Sequence, residues 1–232
     1  QLNLARLDLD ARALDAAEQR LTNVLKTNPR DTDALADMAR VADLRGKTAE
    51  AQTWLEKARD NSGPRELRWN LALIDLHLRA GRPEQALAEA KIAQGKSSDT
   101  ITGLLLYSRA QLAMGDAMGA RGTLGRATRL ADFDADLQVE IASQQLAAQN
   151  LDGAYYSLDK ALTGQPDSLP AQVLMARVEL QRGEVAKAEQ RARNIVQKYP
   201  RRAVGHTLLG DLALAQNTPG PALEAFRKAH AT

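Results

Sequence analysis

Residues 169–202 read LPAQVLMARVELQRGEVAKAEQRARNIVQKYPRR. Gly183 divides the stretch into two halves with apolar residues at helical spacing, and Tyr199-Pro200 closes it. Ala188 sits early in the second half, and the same alanine recurs along the chain as Ala17, Ala51, Ala86, Ala120, Ala154, Ala188 and Ala222. The spacings are 34, 35, 34, 34, 34 and 34 residues. A fixed period of this length marks a stacked-repeat protein. The alanine has a physical reason. Where two helices of one repeat cross closely, a small side chain lets the backbones approach, and alanine has the best helix propensity.

Working outward from this stretch, the register divides the chain into repeats at about 1–31, 32–66, 67–100, 101–134, 135–168, 169–202 and 203–232. Each reads as helix, turn, helix. Leu2–Asp10 alternates like a strand, but the register makes it a first helix. Leu14, Ala17, Leu21, Val24 and Leu25 then fall on one helical face. Turns are expected at Gly46, Gly81, Gly115 and Gly183, and at Gln149-Asn150 and Gln216-Asn217. Pro83 and Pro219 fall in first turns of helices, where proline is tolerated. Gly119, Gly122 and Gly125 fall along one side of a helix in the fourth repeat, which makes it the expected weak point.

Composition narrows the function. With 31 basic and 29 acidic residues the net charge is +2, and aromatics are 3%. Both argue against a nucleic-acid partner, which calls for a basic surplus and stacking rings. The chain has no cysteine, so disulfides, thiolate metal sites and cysteine nucleophiles are excluded within it. No apolar run approaches the ~20 residues of a membrane span.

The small and large positions of the unit resemble the tetratricopeptide repeat family. Position 7 is held by Leu4, Met38, Leu73, Tyr107, Ile141, Met175 and Leu209. Position 8 is held by Ala5, Ala39, Ile74, Ser108, Ala142, Ala176 and Gly210. Pro29, Pro166 and Pro200 hold position 32, and Phe226 holds position 24. Ile74 at position 8, with Ala90 and Ala192 at position 24, departs from the pattern and implies local repacking. The resemblance implies an all-α, right-handed superhelical solenoid of about seven hairpins in one array. More narrowly, the stretches 4–21, 73–90 and 210–230 resemble the repeat lipoproteins of bacterial PEP-CTERM and exosortase systems. That resemblance implies a role in envelope exopolysaccharide assembly, periplasmic or anchored to the outer membrane through another region. A generic scaffold for secretion, pilus assembly or cell division, or a cytoplasmic one, is the alternative.

No catalytic or cofactor motif is present, so neither an enzyme nor a cofactor is expected. His77, His206 and His230 have no metal-ligand spacing. His77 and His206 fall at positions 11 and 4, where core packing is expected. The expected function is a scaffold that binds a protein or peptide segment. In the family, positions 2, 5, 9, 12 and 13 of the first helices face a concave groove. Carried over, position 9 gives Arg6, Arg40, Arg109 and Arg177. Positions 5 and 12 give Leu71, Leu78, Leu105, Leu112, Val139, Leu146, Val173 and Leu180. Such a groove suits an apolar segment carrying carboxylates. Equally, the leucines close the array on itself and the arginines pair with nearby acids. The chaperone-tail clamp of the family is absent, because its positions hold Leu2, Arg6, Asp37, Arg68 and Ala72. A basic run at 177–202 offers an anionic polysaccharide as a second partner, or a solvated helix face.

The first repeat lacks its opening residues, and the last ends near Leu223, Phe226 and Ala229. The chain is therefore expected to be part of a longer array. Its open ends are expected to promote weak self-association.

Overall fold

The computed structural model describes residues 1–96 and 100–232. Residues 97–99, assigned by register to the third repeat, lie outside them. The described residues form fourteen helices and no strand. They divide into two compact units, residues 1–116 and 117–232.

The first unit holds α1 (Leu2–Asp10), α2 (Leu14–Thr27), α3 (Thr32–Leu44), α4 (Thr48–Asp60), α5 (Arg68–Arg79), α6 (Pro83–Lys96) and α7 (Ile101–Ala113). The second holds α8 (Ala117–Leu130), α9 (Ala135–Ala147), α10 (Leu151–Gly164), α11 (Leu169–Gln181), α12 (Val185–Lys198), α13 (Ala203–Ala215) and α14 (Pro219–Ala231). Within each unit, the two helices of a repeat pack as an antiparallel hairpin. First helices of successive repeats also touch, as α1 does α3, α5 does α7 and α11 does α13.

All seven periodic alanines are at most 1% exposed, so the period marks buried small positions. Every turn inside a hairpin places one residue at positive φ: Arg12, Gly46, Gly81, Gly115, Gln149, Gly183 and Asn217. Four are glycine, which reaches this region without a Cβ clash. Starts are fixed by side-chain caps, as Asp31, Asp134, Asn150 and Ser168 accept from backbone N–H groups three residues on.

The departures of the third repeat compensate each other. Ile74 at position 8 is fully buried opposite a small Ala90 at position 24, in one cluster with Leu106. Gly210 and Phe226 exchange the sizes. A Cβ on Gly210 would meet the Phe226 ring at 2.5 Å. Close packing conserves volume, not residue type.

In α8, a Cβ on Gly122 or Gly125 would meet nothing within 4 Å. Within the second unit, no other element approaches these two glycines closely. Substituting both with alanine is expected to stabilise α8 by ~1.6–2 kcal/mol, the summed propensity difference. Hydrogen exchange across residues 118–130 measures it. Exchange there should be faster than in α9 or α10 and slow in the double variant. Protection unchanged by the substitutions would refute this.

Candidate functional site

The first-helix faces of the two units differ in charge. In the first unit the arginines are bound into a lattice with aspartates. Arg6 lies 2.8 Å from Asp37 and 3.8 Å from Asp33, and Arg68 lies 3.0 Å from Asp33. Arg40 lies 2.9 Å from Asp10. Arg79 joins Asp43 and Asp75 at 3.0 and 3.1 Å, and Arg109 lies 3.6 Å from Asp75. Burial pushes the Asp37 carboxyl above its usual value, against the pull of Arg6. The hydrogen bond to Asp37 raises the Arg6 guanidinium in turn. Between α3 and α5 this lattice rims a cavity of ≈ 230 Å³ with an apolar floor of Ala36, Ala39, Leu55 and Ala72.

The second unit is unlike this. Arg177 is exposed on α11 and makes no ion pair or side-chain hydrogen bond among the described residues. Half-buried Val173 and Leu180 stand one turn to either side of it. Asp136 on α9 and Asp211 on α13, also at groove positions, have no partner among the described residues either. Their charges stay available to a ligand.

The apolar candidates divide as well. Leu105 is only 5% exposed and belongs to the core. Leu71 and Leu78 are half-buried against the Ile74–Leu106 cluster. Val139 and Leu146 are half-buried against the cluster around Leu158 and Met175. Val173 and Leu180 pack on the cluster around Ala192 and Leu208, and Leu112 is half-buried. These side chains seal successive first helices and present only an edge to solvent.

Most of the basic run is neutralised within the second unit. Arg182 meets Asp152 and Glu184, Lys187 meets Glu184, Arg191 meets Glu179, Arg193 meets Glu189 and Lys198 meets Asp167. His77 is 5% exposed, and burial lowers its pKa below the ordinary value. His206 is half-buried. Among the described residues there is no cluster of His, Asp and Glu able to hold a metal ion, and no helix long and apolar enough to cross a membrane.

One set of ties is not visible in the family pattern. Positions 11 and 23 of a hairpin face each other, twelve residues apart, and several hairpins put complementary polar groups there. Asp8 accepts from Arg20 at 2.7 Å. Glu179 accepts from Arg191 at 3.0 and 2.8 Å. Gln145 and Ser157 meet through Thr128, at 3.3 and 3.0 Å. In the third hairpin Asn70, at position 4, donates to Glu89 at position 23. The signal in the sequence is a twelve-residue offset between matched types.

The sequence profile described as tetratricopeptide repeat matches residues 8–65 and 145–212, and a second profile of that description matches 37–99. A tetratricopeptide repeat protein from Parabacteroides merdae is similar over 99% of this chain and 91% of its own, with TM-score 0.67 and 16% identity. PilW, a type IV pilus biogenesis factor, is similar over 89% of this chain and 96% of its own, with TM-score 0.65 and 18% identity. Pseudomonas aeruginosa pilF is similar over 85% of this chain and 90% of its own, with TM-score 0.58 and 20% identity. No curated protein matches.

Proposed function

The chain belongs to the tetratricopeptide repeat family, and from that premise we propose that it is a non-catalytic scaffold whose first-helix face holds a segment of a protein partner. The carrying observation is the contrast between bound and unbound arginines. Arg6, Arg40 and Arg109 are tied to aspartates, whereas Arg177 is exposed without a partner. The second unit is then the place of capture. A segment with a carboxylate for Arg177, apolar neighbours against Val173 and Leu180, and basic groups toward Asp136 and Asp211 fits it. A guanidinium fork pairs with a carboxylate through two parallel bonds, which fixes register as well as strength.

The proposed setting is bacterial envelope assembly, within an exopolysaccharide system of the PEP-CTERM type. Its support is the sequence resemblance of the stretches 4–21, 73–90 and 210–230.

A pull-down from periplasmic extract supplies the partner, and calorimetry then tests the residue. Arg177→Ala is expected to weaken binding by ~1.5–3 kcal/mol, the range for a charge-assisted contact. Arg40→Ala, whose guanidinium is already engaged, should leave affinity nearly unchanged. Equal affinity of Arg177→Ala and the parent, with the fold preserved, refutes the assignment.

A further inference from the structure

A cavity of ≈ 400 Å³ opens among α12, α13 and α14, away from the groove positions of the first helices. Leu209, Leu212, Ala213 and Ala225 line it with apolar surface. Glu189, His206, Glu224 and Lys228 stand around them.

The repeat register explains why the floor of this space is apolar. Ala213 and Ala225 occupy positions 11 and 23, the pair that other hairpins fill. In the sixth hairpin these positions hold Glu179 and Arg191, and the neighbouring cavity is lined by polar groups such as Gln172, Lys187 and Gln190. In the second hairpin they hold Ala42 and Trp54, and the Trp54 ring packs on the cluster that contains Ala42. In the second hairpin an alanine at position 11 is thus accompanied by an indole at position 23. The seventh has the alanine and no indole.

We propose that the seventh hairpin is a docking site for a tryptophan side chain carried by a partner protein. The apolar floor takes the ring, as its counterpart takes Trp54. The rim supplies acceptors for the indole N–H. Glu189 is bonded through Oε1 to Arg193 and Glu224 through Oε1 to Lys228, which leaves both Oε2 atoms without a partner among the described residues. Tryptophan combines large apolar area with one donor and is held best where one end is dry and the other polar. An aliphatic side chain fills the floor and leaves the rim acceptors unused. The site is independent of the first-helix face, so neither assignment stands or falls with the other.

The test uses the whole chain, isotope-labelled, with amide shifts read by NMR while the tripeptide amide Ac-Gly-Trp-Gly-NH2 is added. Saturable shifts at Leu209, Ala213, Ala225 and Lys228 in the millimolar range are expected. Ac-Gly-Leu-Gly-NH2 should act several-fold more weakly. Ala225→Trp fills the cavity from within and should abolish the response. Ala213→Gln, which installs the residue found at position 11 of the fifth hairpin, should do the same if the first variant folds poorly. No saturable shift at these amides, an equal response to the leucine peptide, or a response surviving in a folded filled variant overturns the proposal.

Discussion

Arg191→Met is expected to cost about 3–5 kcal/mol, the range for breaking a buried ion pair from one side. The Glu179 side chain is 1% exposed, and both its oxygens accept from Arg191. Removing the guanidinium leaves a carboxylate buried without compensation. Gln172 also loses its bond to the same residue. Glu179→Met combined with Arg191→Met should recover most of the loss, because two apolar residues of similar length restore packing without charge. Repeat arrays open in parts, so the loss is best read as hydrogen exchange in α11 and α12. A loss below about 1 kcal/mol for the single variant would show that Glu179 does not depend on this partner.

Gly164→Ala is expected to destabilise the second unit by about 1–3 kcal/mol, the cost of overpacking. A Cβ there would lie 2.0 Å from the Phe133 carbonyl oxygen and 3.1 Å from its carbon. The obstacle is backbone, which cannot turn aside as a side chain can, so the loop before α9 must move away from the end of α10. The same substitution at Gly122 and Gly125 carries the opposite sign, because space there is open. Thermal unfolding of the three single variants separates the cases. A Gly164→Ala midpoint at or above that of the parent would show that the joint yields freely.

The fold was readable because its determinants are local and periodic. Ala17 through Ala222 mark buried small positions, and the turn residues mark the reversals. Arg12 shows the limit: nothing about an arginine announces positive φ, and only its register with Gly46 does. The binding face was less readable. Arg6, Arg40, Arg109 and Arg177 share one repeat position, yet three have aspartates within 4 Å and one does not. Those aspartates lie at differing offsets, Asp37 after its arginine and Asp10 and Asp75 before theirs, so spacing alone does not tell a tied arginine from a free one. Leu105 holds a groove position but is buried, because contact between first helices decides which edge faces water. The pairing of positions 11 and 23 was not legible because the family pattern marks position 11 for packing and does not mark position 23. In the first and sixth hairpins the two residues match each other in charge.

Those matched pairs constrain how an array of this kind can be cut and rejoined. A crossover in the loop between repeats moves a hairpin with both partners and keeps its lock. A crossover in the short turn inside a hairpin separates them. Joining α1 to α6 would set Asp8 against Glu89, two acids in a half-buried site. Joining α11 to α2 would set Glu179 against Arg20, and the lock would close again. A library of chimeras cut within the turn should therefore lose the members that set like charges against each other at the two positions.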